Sequence, residues 1–276
     1  MIKKSIFCFA ILAVLHACFI SFNPSAGMAT HQWQDNVIKA QQFMYAERSD
    51  TVMVGTSLSA RIIRDSIPFV QSVSFGGCAV EDGLKIILAK GDFPKYVLVE
   101  TNLLLREGNA ELVSRMAEGP VPVIRRWIPS LREQYEPICL FASLMMRSAG
   151  INPQAGVSSV NMELLNESIN RQLEEDELMP EKEVEARLQA IKSLTGQLET
   201  EGTRIVFFEM PVNERLVHLQ RYDQVREIMR SEFPASKYVY LPSDTTKYLT
   251  TDGEHLDYES QQKFSHYFSE VLKASL

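Results

Sequence analysis

The sequence contains neither a Cys-x-x-Cys pair nor a His-Glu-x-x-His motif, the two spacings that most directly indicate zinc. It also has no internal repeat and no low-complexity segment. Its formal net charge is -7 with acidic and basic residues interspersed, so it lacks the basic stripe of a nucleic-acid-binding surface. These absences argue against a nucleic-acid partner and leave no metal site predicted from spacing.

Cysteine is also scarce, with four residues in 276. Cys8 and Cys18 belong to an apolar amino-terminal segment, which leaves Cys78 and Cys139 in the rest of the chain. Each of these two lies in an apolar context. A disulfide formed in an oxidising compartment and two buried free thiols both remain open.

The amino terminus carries a targeting signal. Lys3 and Lys4 precede an apolar run over residues 6–22, and a Pro/Ser/Gly break follows it. Positive charge before an apolar segment is typical of a secretory signal or a signal anchor. Residues 1–29 are therefore predicted to be a signal anchor or signal peptide, with three fates open: retention as an inner-membrane anchor, cleavage near Gly27 or Ala29, or lipidation of Cys18. Each fate predicts a periplasmic or otherwise extracytoplasmic domain over residues 30–276.

Within that domain, short apolar runs alternate with helical patterns. Strands are predicted over residues 52–55, 69–75, 96–102, 204–209 and 238–241, and helices over residues 31–48, 59–65, 80–90, 217–231 and 258–274. Such alternation predicts an α/β fold with a parallel sheet of about five strands and covering helices.

A helical elaboration over about residues 107–200 separates the third and fourth predicted strands. Residues 151–159 are expected to form a loop inside it. The elaboration could cover an active site, bind a partner, or form a helical layer on the sheet.

The first candidate catalytic residue is Ser57. It follows an apolar run that stops at Gly55, where the backbone can turn sharply. The carboxyl ends of parallel strands border the crevice in which open α/β sheets bind ligands. Ser57 is therefore a candidate nucleophile, and an ordinary turn serine or helix N-cap is the competing interpretation.

Asp252 and His255 form the second candidate element, on a loop before the last predicted helix. An aspartate three residues ahead of a histidine can accept the Nδ1 proton, which leaves Nε2 free to act as a base. A serine hydroxyl needs such a base near neutral pH. A solvated loop histidine is the alternative for His255 taken alone.

Acyl transfer also requires donors for the oxygen that becomes negative in the tetrahedral intermediate. Three candidates end strands at the same edge: the backbone N–H at Gly76 or Gly77, the side-chain amide of Asn102, and the Ser57 N–H.

Ser57, Gly77, Asn102 and the Asp252-x-x-His255 pair, in this order, resemble the four blocks of the SGNH (GDSL-type) hydrolase superfamily. The resemblance covers about residues 50–105 and 200–275. It implies a flavodoxin-like three-layer α/β/α fold, a catalytic set of Ser57, Asp252 and His255, an oxyanion hole of Ser57, Gly77 and Asn102, and no cofactor.

Two blocks depart from the usual pattern. Gly-Thr-Ser stands where Gly-Asp-Ser is usual, and Glu100-Thr101-Asn102 stands where Gly-x-Asn-Asp is usual. Glu100 is expected to turn away from the site or to pair with a cation such as Arg106, since an inward carboxylate would disfavour an oxyanion.

An exported domain of this kind is similar to proteins that transfer acyl groups onto cell-surface polysaccharides. The expected function is an O-acyltransferase or esterase acting on an acylated polysaccharide or a small acyl ester, with a membrane acyltransferase as a candidate partner. The alternative is a non-catalytic glycan-binding or assembly component of an envelope complex.

Overall fold

A five-stranded parallel sheet forms the centre of the protein. The computed structural model describes residues 2–23, 27–150, 160–244 and 246–276. The strands are Thr51–Gly55 (β1), Val70–Ser74 (β2), Tyr96–Glu100 (β3), Arg204–Phe208 (β4) and Val239–Tyr240 (β5). They lie in the order β2-β1-β3-β4-β5, with every neighbouring pair parallel. This is the flavodoxin-like strand order, so the predicted fold class is confirmed.

Ten helices accompany the sheet in the described part of the chain. They are Ile2–Phe22 (α1), Gln32–Tyr45 (α2), Val80–Lys90 (α3), Ala110–Ala117 (α4), Val121–Trp127 (α5), Pro137–Ser148 (α6), Met162–Glu174 (α7), Glu181–Thr200 (α8), Gln220–Glu232 (α9) and Tyr258–Ser275 (α10).

Side chains that alternate along the strands divide the core into two layers. Val52, Val54 and Val97 belong to a core that α2, α3, α8 and α9 cover. Met53 and Leu98 belong to the opposite core, which α10 closes with Phe264, Phe268 and Leu272. Because both faces of the sheet are covered, the central strands β1, β3 and β4 are mostly apolar, as expected for a buried parallel sheet. The edge strand β2 is more polar and carries Gln71, Ser72 and Ser74.

The segment after β1 differs from the expected helix over residues 59–65. It forms two short 3-10 turns, Ser59–Arg61 and Arg64–Ser66, separated by Ile62 and Ile63 in extended conformation. Two consecutive β-branched residues favour that conformation, so a continuous helix does not form. The third strand also ends earlier than expected, at Glu100, because Leu104 N–H returns to the Thr101 carbonyl and turns the chain.

The predicted elaboration comprises α4 to α8 and contains no strand among its described residues. α8 packs against α3 and β4 as part of a layer on the sheet, whereas α7 packs Leu165 and Ile169 against Leu216, Leu219 and Tyr222. The predicted loop over residues 151–159 lies outside the described residues.

At the amino terminus, α1 is long and apolar enough to cross a membrane. Signal sequences satisfy the same criterion. The helix is mostly exposed, and only its last turns contact the domain.

The sheet order positions the candidate site. β1 and β3 are neighbours, but the chain passes from β1 to β2 on the other side before it reaches β3. A crevice opens at such a switch point, beyond the carboxyl ends of the two strands. Ser57 follows β1 and Asn102 follows β3, so both lie at this crevice.

Candidate active site

Ser57 lies in a tight turn directly after β1. Thr56 and Leu58 on either side of it are buried, whereas Ser57 itself is partly exposed. Its Oγ lies 2.8 Å from Nε2 of His255, across 198 residues of sequence. The fold therefore brings the predicted nucleophile and the predicted base into hydrogen-bond contact.

The loop between Thr250 and Leu256 orients the histidine. An isolated antiparallel bridge joins these two residues and closes the loop. Inside it, Asp252 Oδ2 lies 2.7 Å from Nδ1 of His255, and Asp252 Oδ1 accepts the His255 backbone N–H at 2.8 Å. One carboxylate thus fixes both the ring and the backbone of His255.

The electrostatics of this pair favour a charged aspartate. Burial alone would raise the pKa of Asp252, but hydrogen bonds from the His255 ring and from backbone amides outweigh it and lower the pKa to about 2. A carboxylate can only accept hydrogen bonds, so Nδ1 of His255 carries the proton. Nε2 is then the acceptor for the Ser57 hydroxyl, which is the arrangement a general base requires.

The helical elaboration supports this loop directly. On α7, Ser168 Oγ and Gln172 Nε2 both donate to the Asp252 backbone carbonyl at 2.8 Å. Gly253 has φ +103, and a Cβ there would lie 2.6 Å from a Leu216 methyl group. Only glycine fits this position, which lets the loop pack closely under α7. α7 is therefore part of the structure that positions Asp252 and His255.

A buried carboxylate holds the turn over residues 56–59, which we call the serine turn. Glu100 is 0% exposed; its Oε2 accepts the N–H groups of Thr56 at 2.9 Å and Ser59 at 3.1 Å. Its Oε1 accepts the Thr56 hydroxyl at 2.7 Å. Glu100 therefore turns away from the cleft, and its partners are donors of the serine turn rather than Arg106. The two sequence departures are coupled, because Thr56 and Glu100 bond to each other.

The backbone donors near Ser57 differ in availability. Gly76 N–H donates to Oδ1 of Asn36 at 3.0 Å, and the Asn36 amide donates back to the Gly76 carbonyl at 2.8 Å. Gly77 has φ +74 and is exposed toward the cleft. Among the described residues, no acceptor is paired with the N–H of Gly77 or Ser57. These two amides are the ones free to meet an oxyanion, whereas Gly76 is already engaged.

Asn102 is placed differently from the expectation. Its Oδ1 accepts Met210 N–H at 2.7 Å and its Nδ2 donates to the Met210 carbonyl at 2.9 Å, and the residue is buried. The side chain thus joins the ends of β3 and β4. An amide nitrogen carries two hydrogens, and the Met210 carbonyl accepts one of those on Nδ2. The role of Asn102 as an oxyanion donor stays a prediction, and it would use the second Nδ2 hydrogen.

An open cleft of about 660 Å³ leads to Ser57 and His255. Its walls carry both cations and anions, and Leu103 and Ala60 are its apolar side chains among the described residues. Besides Ser57, Asp252 and His255, the charged and polar side chains that line it are Gln32, Asp35, Lys39, Arg61, Arg106 and Glu254.

Cys78 and Cys139 are both buried free thiols, the second of the two alternatives left open by the sequence. Burial raises the pKa of the Cys78 thiol to about 11, which makes it a poor nucleophile. In the described ranges, no three or more His, Cys, Asp or Glu side chains are grouped to hold a metal ion.

Sequence reasoning missed Asn36, Ser168, Gln172 and the role of Glu100. Each acts through a partner 40 or more positions away in the chain. For Asn36 the sequence held one weak signal of a structural role, because this polar residue lies on the side of α2 that is buried.

Comparison with known proteins adds little to this geometry. No protein-family model and no curated protein sequence matches the chain. One solved structure, a Streptococcus pneumonia protein provisionally described as a platelet activating factor, aligns with a TM-score of 0.41 at 13% identity. The alignment covers 88% of this chain and 92% of that one. The fold class rests on the observed strand order: an α/β protein of flavodoxin-like topology with a Ser-His-Asp arrangement at its switch point.

Proposed function

We propose that this protein is a serine-dependent acyl-ester enzyme of the SGNH type that works outside the cytoplasm. The observation that carries the proposal is the continuous hydrogen-bonded chain from Ser57 Oγ to His255 Nε2 at 2.8 Å and from His255 Nδ1 to Asp252 at 2.7 Å. A chance meeting of three polar groups would not give each the partner and protonation state that acyl transfer needs.

The reaction follows from these groups. Ser57 Oγ attacks the ester carbonyl while its proton passes to Nε2 of His255, and the Asp252 carboxylate stabilises the resulting imidazolium. The N–H groups of Ser57 and Gly77 bind the oxygen that becomes negative. When the intermediate collapses, the leaving alcohol takes the proton from His255, and the acyl group stays on Ser57.

The second half-reaction repeats these steps in reverse. Water or a sugar hydroxyl attacks the acyl-serine and gives its proton to His255, which returns it to Ser57 Oγ. Water yields an esterase and a sugar hydroxyl yields an O-acyltransferase. The two activities use one site and differ only in the acceptor.

The character of the cleft supports a small acyl group and a polar acceptor. Among the described residues, Ala60 and Leu103 are the only apolar side chains that line the cleft, which suits an acetyl-sized group better than a long chain. Lys39, Arg61 and Arg106 supply charged donors that suit the hydroxyl and carboxylate groups of a polysaccharide. With α1 as an export signal or anchor, the proposed substrate is an acylated cell-surface polysaccharide, and a membrane acyltransferase is the proposed donor partner.

The test of the proposal is labelling with a fluorophosphonate serine probe, followed by peptide mass mapping. We expect a single adduct on Ser57 that is lost in His255→Ala. The control is Ser59→Ala, which removes a neighbouring buried hydroxyl whose partner is Ser74 and should leave the label in place. Absence of labelling on folded protein would instead favour the non-catalytic glycan-binding alternative.

A further inference from the structure

Two short helices of the elaboration leave much apolar surface uncovered. We use the name apolar patch for the exposed apolar side chains between residues 121 and 145, which include Ile124, Trp127, Leu131, Ile138, Phe141 and Leu144. Trp127 alone is 79% exposed. Soluble proteins seldom expose so many large apolar side chains within one short stretch, and such a surface usually marks an interaction site.

The apolar patch adjoins the end of α1. The turn Pro129–Leu131 contacts this helix, and Ile20 near its end is 4% exposed, whereas Phe22 is 85% exposed. A little further along, Met28 N–H donates to the Cys139 carbonyl on α6 at 3.2 Å. The last turns of α1 and the patch therefore belong to one surface.

Helix length then fixes the depth of the patch. α1 has 21 residues, and at about 1.5 Å per residue a helix of that length rises roughly as far as a bilayer core is thick, about 30 Å. With Lys3 and Lys4 at the cytoplasmic face, Ile20 lies in the opposite leaflet. The part of the domain that packs against Ile20 therefore lies in or next to that leaflet. Apolar side chains exposed there contact acyl chains rather than water.

The charge of the segment matches a lipid headgroup surface. Residues 121–148 contain four arginines and two glutamates, a net charge of 4 - 2 = +2 in a chain whose net charge is -7. Arg126 and Arg147 are exposed beside the apolar patch. Tryptophan and arginine flanking an apolar surface are typical of the membrane interface.

We propose that the apolar patch docks into the outer leaflet of the same bilayer that α1 crosses, as an interfacial second attachment. The proposal requires that α1 is retained, and it is independent of the proposed esterase chemistry. A second attachment fixes the orientation of the domain. α2 bonds to the patch segment at one end, through Tyr45 Oη to the Pro122 carbonyl at 3.1 Å, and lines the cleft at the other end with Gln32. Docking thus holds the cleft at a set height above the membrane.

The experiment uses the full chain in vesicles of phosphatidylcholine and phosphatidylglycerol. The protein has two tryptophans, so Trp33→Phe leaves Trp127 as the reporter. We expect Trp127 emission to be blue-shifted, quenched by brominated phosphatidylcholine and protected from aqueous acrylamide. Introducing Ile124→Glu and Phe141→Glu into this variant should reverse all three effects while α1 keeps the protein in the membrane fraction.

The matched control combines Trp33→Phe, Trp127→Phe and Val239→Trp, so that its single tryptophan is at position 239. Val239 is an exposed residue of β5, at the sheet edge opposite β2, and α2 packs near β2. The emission of the tryptophan at position 239 should be quenched by acrylamide and not by the brominated lipid. Trp127 that is quenched no more than the control would overturn the proposal. Protection from acrylamide without lipid quenching would also overturn it and would identify a second copy or another protein segment as the cover.

Discussion

Glu100→Gln tests how the serine turn is held, because the substitution keeps the shape of the side chain and removes its negative charge. Glu100 is 0% exposed and accepts three hydrogen bonds from the turn. A glutamine can still accept the Thr56 and Ser59 N–H groups with its one oxygen, but its amide must face the Thr56 hydroxyl.

The magnitude follows from what is lost. Hydrogen bonds to a charged acceptor contribute about 1.5–3 kcal/mol each, against about 0.5–1.5 kcal/mol for neutral ones. Glu100→Gln weakens the bonds from the Thr56 and Ser59 N–H groups and reverses the direction of the bond with the Thr56 hydroxyl. Together these changes should lower the free energy of unfolding by about 1–4 kcal/mol. Ser57 lies between Thr56 and Ser59, so a small shift of the turn should also slow the reaction, by up to about a hundredfold for a displacement near 1 Å.

The assay combines denaturant unfolding with the rate of fluorophosphonate labelling at Ser57. Thr56→Val removes the hydroxyl that donates to Glu100 and that accepts the Leu58 N–H at 3.3 Å. Thr56→Ser keeps this hydroxyl and serves as the control. Because Thr56 and Glu100 share a bond, the double variant Thr56→Val with Glu100→Gln should be less destabilised than the sum of the single variants, by about 0.5–3 kcal/mol. Unchanged stability and labelling in Glu100→Gln, or strict additivity, would refute this account of Glu100.

Three further predictions concern the reacting groups. Ser57→Ala and His255→Ala should each remove nearly all ester turnover, and the double variant should be little worse because the two act as a unit; independent, multiplying losses in steady-state kinetics would contradict this. Ester cleavage should fall on the acid side of neutrality, because a general base must be unprotonated to accept the serine proton. Asp252, with its pKa lowered to about 2, stays charged throughout that range, so a rate flat down to about pH 4 would exclude histidine as the base. Asn102→Ala should lower thermal stability as well as kcat, since the buried Met210 N–H and carbonyl lose their partners at about 1–3 kcal/mol each; a fall in kcat at full stability would mean that Met210 is not the main partner.

The sequence was most informative where structure is local. Gly55 ends an apolar run both in the sequence and in the sheet. A Cβ at this position would lie 2.5 Å from Oε2 of Glu100, so only glycine allows that carboxylate to approach the end of β1. Asp252 and His255 are three residues apart, so their contact depends on one closed loop. Glu100 bonds to a turn about 44 positions away, and Ser168 bonds to a loop 84 positions away. Such contacts depend on how the whole sheet and elaboration are assembled, and one sequence carries no direct trace of them.

The apolar segment over residues 121–148 shows a second limit of prediction from the sequence. Its composition is that of a core helix, and hydropathy alone does not separate burial in protein from burial in lipid. The distinction comes from exposure. Cys139 and Ser143 face inward on α6, whereas Ile138, Phe141 and Leu144 are exposed.

Trapping the acyl-enzyme intermediate tests directly whether Ser57 carries the acyl group between donor and acceptor. The protein is mixed with a chromogenic acetyl ester, quenched in acid within the first turnover, and digested for peptide mass analysis. We expect one acetyl group on the peptide that contains Ser57 and a burst of chromophore that matches it in amount. Adding a polysaccharide acceptor should speed the loss of the acetyl group. An unmodified Ser57 peptide during steady chromophore release would contradict the acyl-serine mechanism.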